Sequence, residues 1–291
     1  MIPPVNTKNA KAVSGFVQRK FQKLFPKGNT QWLEKVFRDV TTLFEGKNPD
    51  YAAIDLRYHD FEHTLQATVC LVLILEGRHQ IGIKPRLSSR QFEIAVAAIL
   101  LHDSGYLKLR SDRIGTGAKY TFVHELRSSA YAAAYLPTMG ANIREVDGVV
   151  SAINCTGPKS HIRRIDFHDA ISRVVGCAVS TADYLAQMAA PDYLEKLPDL
   201  FREFQESYDF FHIPSRDRQS KSLQDLLRKT PDFWRKIVLP RLENDYQGVY
   251  HFLNSPQSDG ANAYLDAIEK NIAKIKSSAT VRRRKKVRLP T

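Results

Sequence analysis

Cysteine is scarce in this chain, and acidic residues are missing from its first thirty positions. The three cysteines among 291 residues, Cys70, Cys155 and Cys177, are odd in number, scattered and flanked by apolar residues. That pattern fits buried, reduced thiols in a cytoplasmic protein better than a disulfide framework. No apolar run reaches the roughly 20 residues that cross a bilayer, and the N-terminus has no apolar core followed by a cleavage site. Neither a membrane span nor a secretory leader is expected. Strand-length alternation and a fixed-period repeat are absent too, which argues against a β-sandwich, a barrel or a solenoid.

What the chain does have is enough apolar content, 43%, to bury a full core. Its net charge of +12 resembles a nucleic-acid signal until it is mapped. Six basic residues (Lys8, Lys11, Arg19, Lys20, Lys23, Lys27) stand in the acid-free first thirty, and six more (Arg282, Arg283, Arg284, Lys285, Lys286, Arg288) in the last ten. Together they account for the whole excess, so residues 31–281 are formally neutral. A basic terminus is most often a solvated tail; its alternative role is a weak, salt-screened contact with anionic surfaces.

Helical periodicity runs almost throughout. Val13, Phe16, Val17, Phe21 and Leu24 form one amphipathic stripe. Leu33, Val36, Phe37, Val40 and Phe44 form a second, with Thr30 as its expected N-cap and Gly46 as its stop. A third helix is predicted from about Asp60 to Leu75, closing before Gly77. Ser88 and Gln91 read as a capping box for a fourth, whose Val96–Leu101 interior is apolar nearly all round and therefore central. It delivers His102 and Asp103 to its C-terminal end, where Gly105 lets the chain turn away. Further helices are predicted from His124 to before Pro137, over Ile143–Ile153, over Ile171–Asp183, and through the C-terminal third. The fold class is all-α, a compact helical bundle. Segment 1–49 is expected to pack on a core of 50–206, with 207–279 completing the bundle and 280–291 forming a flexible basic tail.

The chemistry concentrates in a few residues. His59 and His63, four apart, are expected to share one helical face. His102 and Asp103 follow six consecutive apolar residues, and burying an imidazole beside a carboxylate costs several kcal/mol unless each is paired or bound to a cation. Asp183, behind the apolar run from Val174 to Ala182, poses the same problem; its alternatives are an N-cap or an ion pair with Arg173. A single mixed nitrogen and oxygen metal site accounts for all of these residues at once.

The order His63, His102-Asp103, Asp183 resembles the H…HD…D motif of the HD-domain superfamily of metal-dependent phosphohydrolases, over residues 50–206. Tyr58-His59-Asp60-x-x-His63-Thr64 is similar to the Y-H-N-x-x-H-A signature of its cyclic nucleotide phosphodiesterases. The resemblance implies an HD-type bundle in which His63, His102, Asp103 and Asp183 hold a first divalent ion, with Asp103 able to bridge to a second. His59 would be the general acid. The ligand set does not separate zinc, iron, manganese, magnesium and nickel. The implied substrate is a small phosphoester such as a nucleotide, cleaved by a metal-activated water. Val123-His124-Glu125-Leu126-Arg127-Ser128-Ser129 resembles the H-E-x-x-S-A segment of many HD domains, which makes His124 a second-metal or substrate residue. Tyr106 stands where phosphodiesterases carry a His in H-D-x-x-H, the H-D-x-x-E-D pair of the guanosine-tetraphosphate hydrolases is absent, and no G-Y-P element follows. Lys108, Arg110 and Arg113 are candidates for meeting phosphate oxygens. The alternatives are a diiron oxygenase of the same superfamily, which needs further imidazoles such as His124 and His161, and a non-catalytic metal or nucleotide sensor. Tyr208, Phe210, Phe211 and Trp234 are expected in the core. Oligomeric state is not legible.

Overall fold

Capping residues and apolar stripes fix where the helices start and stop. The computed structural model describes residues 2, 5–157, 160–254 and 260–287, the last ten by backbone alone. Within them lie α1 (Ala10–Leu24), α2 (Gln31–Phe44), α3 (Phe61–Ile81), α4 (Ser89–Leu101), α5 (His124–Thr138), α6 (Ile143–Asn154), α7 (Ala170–Ala189), α8 (Tyr193–Phe210), α9 (Leu223–Phe233) and α10 (Ala263–Val287). Among the described residues there is no strand, only an isolated antiparallel bridge between Tyr51 and Leu109. No described helix is long and apolar enough to cross a membrane.

The centre is α4 with α3 and α7. The capping box is present: Gln91 N–H donates to Ser88 Oγ at 3.2 Å, and Ser88 N–H donates to Gln91 Oε1 at 2.8 Å. From Phe92 to Leu101 every residue of α4 is buried. Each large aliphatic side chain there contributes about 1.5–3 kcal/mol through removal from water. On this core α3 packs against α7, α4 and α1, α2 packs against α4, and α10 packs against α7 and α9. Cys70, Cys155 and Cys177 are all free and buried.

Several boundaries differ from the sequence expectation. Helix α3 does not close before Gly77 but runs to Ile81 and ends at left-handed Gly82. Gly77 serves packing instead: a Cβ there would meet the Phe252 carbonyl oxygen at 2.0 Å. Thr30 occupies the N-cap position of α2 without capping it; its hydroxyl turns to Glu34 at 2.7 Å. Helix α5 includes Pro137 in its last turn. Trp234 and Tyr208 are buried as expected, whereas Phe210 and Phe211 are 44% and 37% exposed at the end of α8. Helix α10 continues through the boundary expected at 279. The side chains of Arg282, Arg283, Arg284, Lys285 and Lys286, and all of Arg288, lie outside the described residues.

Candidate metal centre

Three helices deliver the expected ligands to one point. His63 lies in the first turn of α3, where Asp60 caps the helix by accepting the His63 N–H at 2.8 Å and is itself held by Lys196 at 2.8 Å. His102 and Asp103 leave the end of α4. Asp183 sits well inside α7, so it is neither an N-cap nor within a helical turn of Arg173. The ligand atoms of His63, His102 and Asp103 lie within 4.8 Å of one another, all buried. Asp183 closes the group: its Oδ1 is 3.0 Å from His63 Nε2 and 3.5 Å from His102 Nε2. Asp103 Oδ2 is 3.4 Å from His63 Nε2 and 3.3 Å from His102 Nε2.

The donors are oriented for a cation. His102 Nδ1–H donates to the Ile99 carbonyl at 2.7 Å, which directs the Nε2 lone pair inward. Yet His102 Nε2 and Asp103 Oδ2 are buried with no hydrogen-bond partner. Lone pairs that face one another in a dry interior are costly unless a cation sits between them. Without a metal, a proton takes that place in part. Burial disfavours the charged His102 ring, but Asp103 and Asp183 override it and hold the ring up at about 9. Burial pushes the Asp183 carboxyl up too; the two imidazoles prevail and hold it well below the carboxylate range. The residues present therefore fit a divalent ion.

His59 departs from the expectation. It precedes α3, so helical register does not bring it to His63; their rings meet nearly edge on, with centroids 6.0 Å apart. What positions it is Glu203 of α8, which the sequence reasoning missed. Glu203 Oε2 pairs with His59 Nδ1 at 2.7 Å, while Oε1 accepts the Arg57 and Tyr58 N–H groups at 3.2 and 2.8 Å. Burial disfavours the charged His59 ring, but the hydrogen bond and charge of Glu203 raise it overall. A signal was there: Leu200, Glu203 and Ser207 share a buried face, and a carboxylate on such a face needs a partner.

Tyr106 fills the space between two imidazoles. It is buried and stacks on His59 at 4.7 Å and on His124 at 4.4 Å. His124 Nδ1–H donates to the Thr121 carbonyl at 2.8 Å, and its Nε2 faces Asp103 Oδ1 at 3.7 Å, on the opposite oxygen from the first cluster. Ser128 ties α5 to the doublet: its hydroxyl donates to the His102 carbonyl at 2.5 Å and accepts the Gly105 N–H at 2.8 Å. Gly105 permits that approach, since a Cβ would meet the His124 carbonyl oxygen at 2.0 Å. Gln187, also missed, links Tyr58 O–H at 2.7 Å to Asp183 Oδ1 at 3.2 Å.

The basic loop residues are elsewhere. Lys108 is committed to Asp55 at 3.1 Å and the Gly115 carbonyl at 2.5 Å, and Arg110 to the carbonyls of Gly46 and Asn48. Arg113 and His161 are exposed, and none of the four lines the cavity that opens over the cluster. That cavity, about 390 Å³, is floored by His59, Asp103 and Asp183 and bordered by Tyr106 and His124.

No protein-family model matches this sequence, and no curated protein does.

Proposed function

We propose that this chain is a divalent-metal-dependent phosphohydrolase of the HD-domain type that cleaves a small phosphoester, a phosphodiester in preference to a monoester. The observation that carries this reading is the His59–Glu203 pair at 2.7 Å, with His59 on a cavity floor shared with Asp103 and Asp183, which meet the buried His63 and His102 beneath it. His63, His102, Asp103 and Asp183 would hold the ion. When bound, a divalent ion supplies positive charge for the phosphate oxygens and acidifies a water. Asp183 is kept in place by Gln187, and His102 by the Ile99 carbonyl. His59 reaches the cavity with its Nδ1 side anchored, so its Nε2–H is the end available to protonate a leaving oxygen. Glu203 favours the protonated ring until that moment.

His124 Nε2, with Nδ1 already donating, and Asp103 Oδ1 at 3.7 Å are the groups that would hold a second ion. The oxygenase alternative is less well supplied, because His161 lies away from the cavity. A sensing module has no use for a proton donor held by a buried carboxylate.

The test is metal analysis of protein purified without added metal, followed by assay against bis-p-nitrophenyl phosphate, cyclic nucleotides and nucleoside monophosphates. Hydrolysis that stops with EDTA and returns with a divalent ion is expected. Bound metal without turnover of any phosphoester would overturn the reading.

A further inference from the structure

The cavity over the cluster has two unlike halves. Its floor is polar, but the walls above it, from α7, α8 and α9, are apolar: Met188, Leu197, Leu200, Phe204, Leu226 and Phe233. Lys229 is the only lysine or arginine lining it among the described residues, and it is already spent, with Nζ on Asp225 Oδ2 at 2.7 Å and on the Gln219 carbonyl at 2.5 Å. Several of the remaining polar groups are engaged within the protein, while the side chains of Gln219 and Ser220 and the O–H donors of Tyr184 and Tyr208 keep some hydrogen-bonding capacity. Thr230 O–H donates to the Leu226 carbonyl at 2.9 Å, Tyr184 O accepts from Arg241 at 3.1 Å, and Tyr208 O accepts the Gln219 N–H at 3.1 Å.

A nucleobase is read through donors and acceptors on its edges, and a polyphosphate needs cations beyond the first phosphate. These walls offer no lysine or arginine that is not already paired, and their few donors and acceptors are outnumbered by aliphatic and aromatic side chains. The apolar surface continues to the mouth, where Phe233 is 37% exposed, and Phe211, also 37% exposed, packs on the lining residue Phe122 at 5.5 Å. We infer that the group carried into this cavity by the scissile phosphoester is an alkyl chain or aryl ring, so that the substrate is an amphiphilic phosphoester and not a nucleotide or polyphosphate. This specificity rests on the phosphohydrolase reading for its chemistry, but on the walls alone for its apolar arm.

The two parts separate in one experiment. Isothermal titration calorimetry of the full chain loaded with Mn²⁺ would compare methyl-, butyl- and octylphosphonate with adenosine monophosphate and pyrophosphate. Affinity is expected to rise about three- to fourfold per buried methylene until the cavity is full, with octylphosphonate above both nucleotide and pyrophosphate. An n-alkanol series in EDTA is expected to show a similar slope, because the walls need no metal. Leu226→Glu and Phe204→Glu, both at half-buried positions, should weaken octylphosphonate at least tenfold more than methylphosphonate while circular dichroism and melting show a folded chain. A flat phosphonate series, or a slope unchanged in both variants, overturns the apolar arm. A steep series in a protein that hydrolyses no phosphoester keeps the arm and sinks the hydrolase.

Discussion

Two groups of sequestered charges occupy this bundle, and they are built to opposite rules. In one, Arg90 donates from all three guanidinium nitrogens, two of them to Glu145 at 2.7 and 3.0 Å and one to Glu93 at 2.9 Å, with its face over Trp32 at 4.3 Å. In the other, His102 Nε2 and Asp103 Oδ2 stand deeper, with no hydrogen-bond partner at all. Donors and acceptors are matched in the first, whereas in the second two imidazoles and two carboxylates face one another with hydrogen-bonding atoms unmatched. A closed cluster holds a fold together; an open one in a dry interior costs stability until something from solution completes it. The difference makes the second the candidate metal centre.

The largest effect should come from removing a member of the open group. His102→Ala or Asp103→Ala is expected to lose both bound metal and turnover. In the wild type, metal at a hundredfold excess over its Kd adds about 2.7 kcal/mol, roughly 5 to 10 °C in a melting curve; that increment should vanish in both variants. Calorimetry with and without EDTA reads it. An increment surviving in Asp103→Ala would mean that the ion sits elsewhere.

Next comes the proton donor. His59→Asn should retain metal and lower kcat by about 10²- to 10⁴-fold, since an acid is required in the transition state and a ligand for assembly. Metal lost to the same extent as in Asp103→Ala would reassign His59 as a ligand. Glu203→Gln sharpens the same point. A raised His59 pKa means that the acid form, and turnover with it, is present at low pH and disappears as pH rises through that value. Removing the negative charge should move this basic limb toward lower pH, with metal content unchanged. A limb that stays put would reduce Glu203 to a structural tie.

The residues that could be read without coordinates are those whose burden is local. Six apolar positions before His102-Asp103 already imply a buried doublet, and Asp183 is legible because apolar neighbours leave a carboxylate unexplained. The all-helical class followed from periodicity alone. His59 was legible by residue type but not by mechanism, because Asp60 caps α3 and leaves His59 before the helix. Glu203 is 144 residues away in sequence, and nothing nearby announces which imidazole it will meet. The loop cations misled for a complementary reason. Lys108 and Arg110 read as free charges in sequence, and only the folded loops supply the carboxylate and carbonyls that occupy them. The cavity walls were invisible, since Leu226 and Phe204 look like ordinary stripe residues until two helices leave a gap between them.

The smallest effect belongs to the closed cluster, and its pH dependence tests the comparison from the other side. Arg90→Met should cost about 1–2 kcal/mol near pH 7, read as a melting point lower by roughly 3 to 6 °C, with metal content untouched. Hydrogen bonding to Arg90 holds Glu145 below its ordinary 4.5, so its contribution is present above that value and lost as pH falls through the folded one. Burial pushes Glu93 above 4.5, so its term runs the other way, weakening the fold as pH rises through the folded value. Without the guanidinium both carboxylates lose a counter-charge that matters only while they are ionised, although Glu145 keeps the Asn142 N–H at 2.9 Å. The deficit of Arg90→Met should therefore shrink on acidification, and be the same with EDTA as without. A deficit that grows at pH 4, or that appears only in the presence of metal, would show that the two clusters are coupled and that the closed one is not independent of the site.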